Sequence, residues 1–288
     1  MRLSIRHTTR YAFSEPVIHA LQRLRLTPKA TQGQSVIHWD MQYENAHTEL
    51  EYDDQHFNTV TLVAVEPGAS EVVVTCHGMV ETTDNSGVIG RHSGHLPLWS
   101  FLGQTPLTKP GPKVRALIRE VPGPEEGATL DYLHALSARI GEVVAYETGS
   151  SGVHTTAEEA LSEGKGVCQD MAHIFIGAAR AADIPARYIS GYLMMDDRVE
   201  QDATHAWAEA HVDGLGWVGF DIANGISPDP RYVRVATGRD YRDAAPVTGI
   251  SFGQSDQLLT VNVSVEEQSG QSQAQSQGLS QSQGQKQQ

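Results

Sequence analysis

Three residue types that cooperate in nucleophilic catalysis stand in a workable order along this chain: Cys168, His205 and Asp221. Cys168 follows Gly164-Lys165-Gly166-Val167 and opens a run with apolar residues at Met171, Ile174, Phe175, Ala178, Ala179 and Ala182, which is helical spacing. A cysteine in the first turn of a helix feels the positive end of the dipole and unpaired N–H groups. Both favour thiolate over thiol. Glycines before it leave room for a substrate. Alone, such a cysteine is as well read as a buried structural residue; the chemistry needs a base and a group to orient it.

The base and the orienter are sought downstream. Residues 205–212 alternate, with His205, Trp207, Glu209 and His211 on one face and the alanines 206, 208 and 210 on the other. Asp213-Gly214-Leu215-Gly216 signals a hairpin, with 217–221 as the return strand. A three-residue loop, 213–215, sets Val212 opposite Gly216. Asp221 is then diagonal to His205 on one face, at roughly 7–8 Å. A two- or four-residue loop would turn Asp221 to the opposite face. Glu209 lies about 13 Å along the strand from His205, too far to orient it. Cys168, His205 and Asp221 thus read as nucleophile, base and orienter for attack on an amide carbonyl. The backbone N–H of Cys168 is a first oxyanion donor; Gln169, Trp207 and Tyr146 are candidates for a second.

These residues resemble the transglutaminase-like superfamily, in its bacterial cysteine-peptidase branch with an N-terminal β domain. The likeness rests on Gly166-Val167-Cys168-Gln169-Asp170-Met171-Ala172-His173, on Asp183-Ile184-Pro185-Ala186-Arg187-Tyr188-Ile189-Ser190-Gly191-Tyr192, on Thr204-His205-Ala206-Trp207, on Gly219-Phe220-Asp221 and on Gly238-Arg239-Asp240-Tyr241. Near the N-terminus, Tyr11, Pro16, Val17, Leu24 and Pro28 fit the same pattern. Asp183 replaces the usual glycine. The resemblance implies a Cys168-His205-Asp221 triad, a thioester intermediate, and hydrolysis of peptide or isopeptide amides. Transfer to an amine, as in a transglutaminase, is the alternative, and a non-catalytic peptide-binding module the distant one.

The elements that must position these residues imply an α+β protein in which an antiparallel β domain precedes a nucleophile helix packed on an antiparallel sheet. Strands are expected at 3–13, 22–26, 36–43, 50–52, 60–65 and 72–80, and helices near 113–120 and 130–140. Thr156-Ala157-Glu158-Glu159 reads as a capping box. Domain bounds of 1–82 and 83–265 follow, with a last strand at 258–265. The Gln/Ser/Gly-rich segment 266–288 is expected to be disordered.

The chain has 288 residues, 39% hydrophobic, with a formal net charge of −14. That charge argues against nucleic acid or an anionic membrane as partner; the expected partner is a peptide or protein amide. Two cysteines, Cys76 and Cys168, no apolar leader and no apolar run of about 20 residues suggest a reduced, cytoplasmic protein. Cys76 reads as a core residue, Asp170 as complementing the helix dipole, and His173 as a helix residue without a required role. Thirteen histidines show no metal-ligand spacing. Arg91-His92-Ser93-Gly94-His95 reads as a solvated linker rather than a metal site, and neither a metal nor a cofactor is expected.

Overall fold

The computed structural model describes residues 1–124, 128–252 and 257–268. In chain order the elements are β1 (Arg2–Phe13), β2 (His19–Leu24), β3 (Gln34–Glu44), β4 (Ala46–Asp53), β5 (Thr59–Val65), β6 (Glu71–Thr82) and β7 (Val88–Gly90). A 3₁₀ turn (Leu98–Phe101), α1 (Pro112–Glu120), α2 (Thr129–Val143), β8 (Ala145–Tyr146), α3 (Ala157–Glu163), β9 (Lys165–Gly166) and α4 (Cys168–Ala181) follow. The chain closes with β10 (Ala186–Leu193), β11 (Glu200–Gln201), β12 (His205–Val212), β13 (Gly216–Phe220), β14 (Tyr232–Gly238), α5 (Tyr241–Ala244), β15 (Val247–Phe252) and β16 (Gln257–Glu267).

Two antiparallel sheets, ordered β11-β16-β1-β6-β3 and β15-β2-β5-β4, form a sandwich. Alternation makes it: Val63, Val65, Val72, Val74 and Cys76 point inward and meet Leu24 and Leu26. Burial pushes the Cys76 thiol up to about 12, which makes it an inert core side chain. The strand expected to end the catalytic domain lies here instead. β16 pairs with β1 along its length, Leu3 with Glu267 through Phe13 with Gln257, and β15 pairs with β2. The bound expected at 265 therefore gives way to a sandwich built from both ends of the chain. Pairing partners some 250 residues apart leave no local signature. Glu266 and Glu267, assigned to the tail from their polarity, belong to β16; the rest of that segment, from residue 269, lies outside the described residues.

The second unit is a five-stranded antiparallel sheet, β14-β10-β12-β13-β7, carrying α4. This α4 is apolar around almost its whole circumference, so it is the central buried helix rather than a surface one. Ala206, Ala208 and Ala210 line the helix side of β12, and their small size lets α4 approach closely. The capping box of α3 forms as expected, with Thr156 accepting from the Glu159 N–H at 3.2 Å and Glu159 accepting from the Thr156 N–H at 2.9 Å. No described helix is long and apolar enough to cross a membrane.

Side chains of the sandwich clamp the β14 edge. The Gln34 amide donates to Arg234 O and accepts from Arg234 N, both at 2.8 Å. Asn58 does the same at Thr237, also at 2.8 Å. Each amide imitates one step of strand pairing, so the edge is closed without another strand. Beneath this clamp Glu209, fully buried, bonds Arg187 at 2.6 Å and Arg234 at 2.7 Å. Burial opposes its charge, yet the two guanidinium groups keep the carboxyl below its usual range.

Two buried histidines make the fold acid-sensitive. Burial lowers His7 to about 4. Burial, helped by Arg180 and Arg242 against Asp240, lowers His173 to about 4 as well. Unfolded histidine binds its proton near 6.5. Between pH 6.5 and 4 the unfolded chain therefore binds more protons than the folded one, and stability falls as pH falls. Each site contributes about 3 kcal/mol at full amplitude. Urea unfolding at pH 7 and pH 4 should show a clear loss at pH 4, smaller in a His173→Gln variant. Equal midpoints at the two pH values would refute the assignment.

Candidate active site

The hairpin register decides where the base and carboxylate meet. Val212 pairs with Gly216 and Ala208 with Phe220, the register of a three-residue loop. Asp221 follows directly, fully buried, and its Oδ2 accepts from His205 Nε2 at 2.6 Å. Tyr232 OH and Asn224 Nδ2 donate to the same oxygen at 2.7 Å each, and the Asn224 N–H reaches Oδ1 at 3.2 Å. Neither Tyr232 nor Asn224 was anticipated. The alternation of Tyr232-Val233-Arg234-Val235 is a strand signal that could have found the first; the second lies three residues past Asp221, in a local Asp turn. Burial opposes ionisation of Asp221, but the His205 contact leads a set of hydrogen bonds that holds its carboxyl below the usual range.

His205 opens β12 and pairs with Gly191 of β10. A Cβ at residue 191 would sit 2.1 Å from Val233 O and 2.7 Å from the Trp207 ring, so only glycine fits there. Trp207 stacks against His205 with ring centroids 6.2 Å apart. It is buried under the imidazole and does not line the catalytic cleft. Among the three candidate second donors, Trp207 is thereby set apart, while Gln169 and Tyr146 line the cleft.

Cys168 is the first residue of α4, as its spacing predicts, and lines the same cleft as His205. With Nε2 committed to Asp221, Nδ1 is the ring nitrogen left for the thiol. Burial lowers the proton affinity of His205, but the Asp221 contact and then the Cys168 sulfur outweigh it and push the imidazole up to about 10. The structure thus brings all three side chains to one place. Glu209, excluded as the orienter on distance, is engaged by Arg187 and Arg234 instead.

Asp170 is buried, and its Oδ2 accepts from the Val167 N–H at 2.8 Å and from Ser151. It ties the loop before Cys168 to the loop 147–156. His173 Nε2 accepts from the Tyr241 N–H at 3.1 Å, fixing α5 against α4. The expected linker histidine is also structural: His92 Nε2 donates to Leu96 O at 2.8 Å and Nδ1 accepts from Trp217 at 3.1 Å. Both ring nitrogens are used, so His92 belongs to an aromatic cluster with Phe101 and Trp217, not to a solvated linker.

The cleft encloses about 590 Å³, within the range of small-ligand and peptide sites. One wall is the unit that carries α4; the other is the sandwich, through Thr9, Tyr11, Leu259 and Val261.

Family comparison agrees with this architecture. The transglutaminase-like superfamily model matches residues 115–222, and the bacterial transglutaminase-like N-terminal region model matches residues 3–81. The chain belongs to the transglutaminase-like superfamily. An uncharacterized protein of Mycobacterium leprae is 29% identical to this transglutaminase-like protein over 278 residues, 92% of this chain and 98% of the relative. One from Mycobacterium tuberculosis is 28% identical over 291 residues, 92% of each. A Cytophaga hutchinsonii structure, described as that of a candidate cysteine protease, superposes with a TM-score of 0.73 at 22% identity, over 93% of this chain and 92% of that one. The last likeness is one of fold.

Proposed function

We propose that this transglutaminase-like protein is a thiol hydrolase that cleaves peptide or isopeptide amides through a thioester, with Cys168 as nucleophile, His205 as base and then acid, and Asp221 as orienter. The observation that carries the reading is an imidazole bound to a buried carboxylate at 2.6 Å and facing a thiol at a helix start in an open cleft. The His205 ring takes the thiol proton, and the sulfur attacks the amide carbonyl. The tetrahedral adduct collapses, the C–N bond breaks, and the imidazolium protonates the leaving amine. Water, giving a proton to His205, then attacks the thioester; the C–S bond breaks and the thiol is restored.

An amine in place of water would make the product of a transglutaminase. Hydrolysis is the better fit because the cleft mouth is wet: Tyr146 is 55% exposed and Arg198 and Asp202 are exposed beside it. Excluding water is what amine transfer demands. Mass spectrometry of peptide products, with and without a primary amine at millimolar concentration, separates the two outcomes. Amine adducts in excess of free acid would establish transfer.

The proton on His205 gives a direct test. Cys168 should react with iodoacetamide at pH 6, where an ordinary thiol, with a pKa near 8.5, is almost wholly protonated. In His205→Ala the rate at pH 6 should fall at least about tenfold, while the rate at pH 10 changes little. Identical profiles in the two proteins would sink the thiolate–imidazolium pair.

A further inference from the structure

Attack on a carbonyl places negative charge on its oxygen, and one backbone N–H at Cys168 is half of what an oxyanion site needs. Gln169, Tyr146 and Tyr188 are among the side-chain donors that line the cleft with Cys168. Tyr146 is more than half exposed and Gln169 is half-buried, so water competes for both. Tyr188 differs. It is 2% exposed, and its ring is fixed between His173, with centroids 5.2 Å apart, and Tyr241, at 6.2 Å. Its hydroxyl makes no hydrogen bond within the described residues. Facing the cleft with no partner among the described residues, that hydroxyl is left free to donate to a group bound there.

We propose that the Tyr188 hydroxyl is the second oxyanion donor of the cleft, paired with the Cys168 backbone N–H. The proposal rests on the thiol-enzyme reading above. As the thiolate sulfur bonds to the carbonyl carbon, the π pair moves onto oxygen, and the phenol donates a hydrogen bond to it without giving up its proton. When the adduct collapses, the pair returns, the leaving group departs and the hydroxyl is free again. Burial, with the Cys168 sulfur and Tyr241 adding to it, raises the phenol well above its ordinary value. It therefore stays protonated and able to donate throughout. Clamped rings spare it reorganisation when the charge appears.

The test compares two reactions of the same sulfur. Iodoacetamide alkylates by displacement and forms no oxyanion; p-nitrophenyl acetate acylates through a tetrahedral one and releases p-nitrophenolate. Tyr188→Phe should lower the acylation rate constant by about 100-fold and leave alkylation at pH 6 within about twofold of wild type. An unchanged acylation rate in Tyr188→Phe overturns the proposal. So does a parallel fall in both rates, which would mark a role in holding the thiolate or the fold. If wild type is neither alkylated at pH 6 nor acylated, the thiol-enzyme reading fails and this inference with it. If wild type does both and Tyr188→Phe matches it, only this inference fails.

Discussion

Asp221→Asn should lower turnover by about four orders of magnitude with little change in the far-UV spectrum. The size follows from the surroundings of that carboxylate. Its Oδ2 accepts three hydrogen bonds, from His205, Tyr232 and Asn224, and Oδ1 accepts a fourth. Every neighbour is a donor. An amide has one acceptor oxygen and one NH₂, so whichever way it is placed, two donors face each other. Turning the NH₂ toward His205 flips the imidazole tautomer, and the nitrogen facing Cys168 then carries a proton it should accept. The charge that holds the imidazolium is lost as well. Single-turnover acylation by p-nitrophenyl acetate gives the loss, and a drop of less than tenfold would mean that the carboxylate is not the orienter. Tyr232→Phe removes one donor and keeps the carboxylate, so it should cost far less.

The second large effect is on stability and lies four residues along β12 from His205. Glu209→Gln should destabilise the protein by about 3–5 kcal/mol. The carboxylate is fully buried and is the anion between Arg187 and Arg234, with the Arg187 guanidinium also lying 3.8 Å over the Trp217 ring. Lys29 is close by, and burial together with Arg234 and Arg187 drives its pKa well below that of an ordinary lysine. Neutralising Glu209 leaves positive charges facing each other without an anion between them. Urea denaturation at pH 7 reads the loss. A triple variant, Glu209→Leu with Arg187→Met and Arg234→Met, should recover much of it, because a packed apolar set carries no desolvation cost. A loss below about 1 kcal/mol for Glu209→Gln would show that water reaches the cluster.

The contrast between these two sites shows what the sequence discloses. The His205–Asp221 meeting is local. Sixteen residues and one turn separate the pair, and turn length fixes register, which fixes face. The start of α4 and the capping box of α3 are local too, and so were legible. The Glu209 cluster was not, although Glu209 alternates in plain view with His205. Its partners come from β10 and β14, and no spacing rule links 187, 209 and 234. The same reason hid the true place of residues 257–267. Tyr188 was visible as part of the strand after Pro185; that its hydroxyl lacks a partner among the described residues follows from how β10 packs on α4. The reading of His92 failed for a related reason. A short polar stretch resembles a linker until the aromatic rings that receive its imidazole arrive from elsewhere in the chain.

The far wall of the cleft has a consequence in time. Leu259 and Val261 lie on β16, hydrogen-bonded to β1. A chain emerging from the ribosome carries Cys168, His205 and Asp221 into the open well before it carries that strand. Until residue 267 is out, β1 has β6 on one side but not β16 on the other, and the cleft lacks part of its far wall. The wall that faces Cys168 is thus among the later parts of the fold to be made, and removing β16 (Gln257–Glu267) would take Leu259 and Val261 out of the cleft.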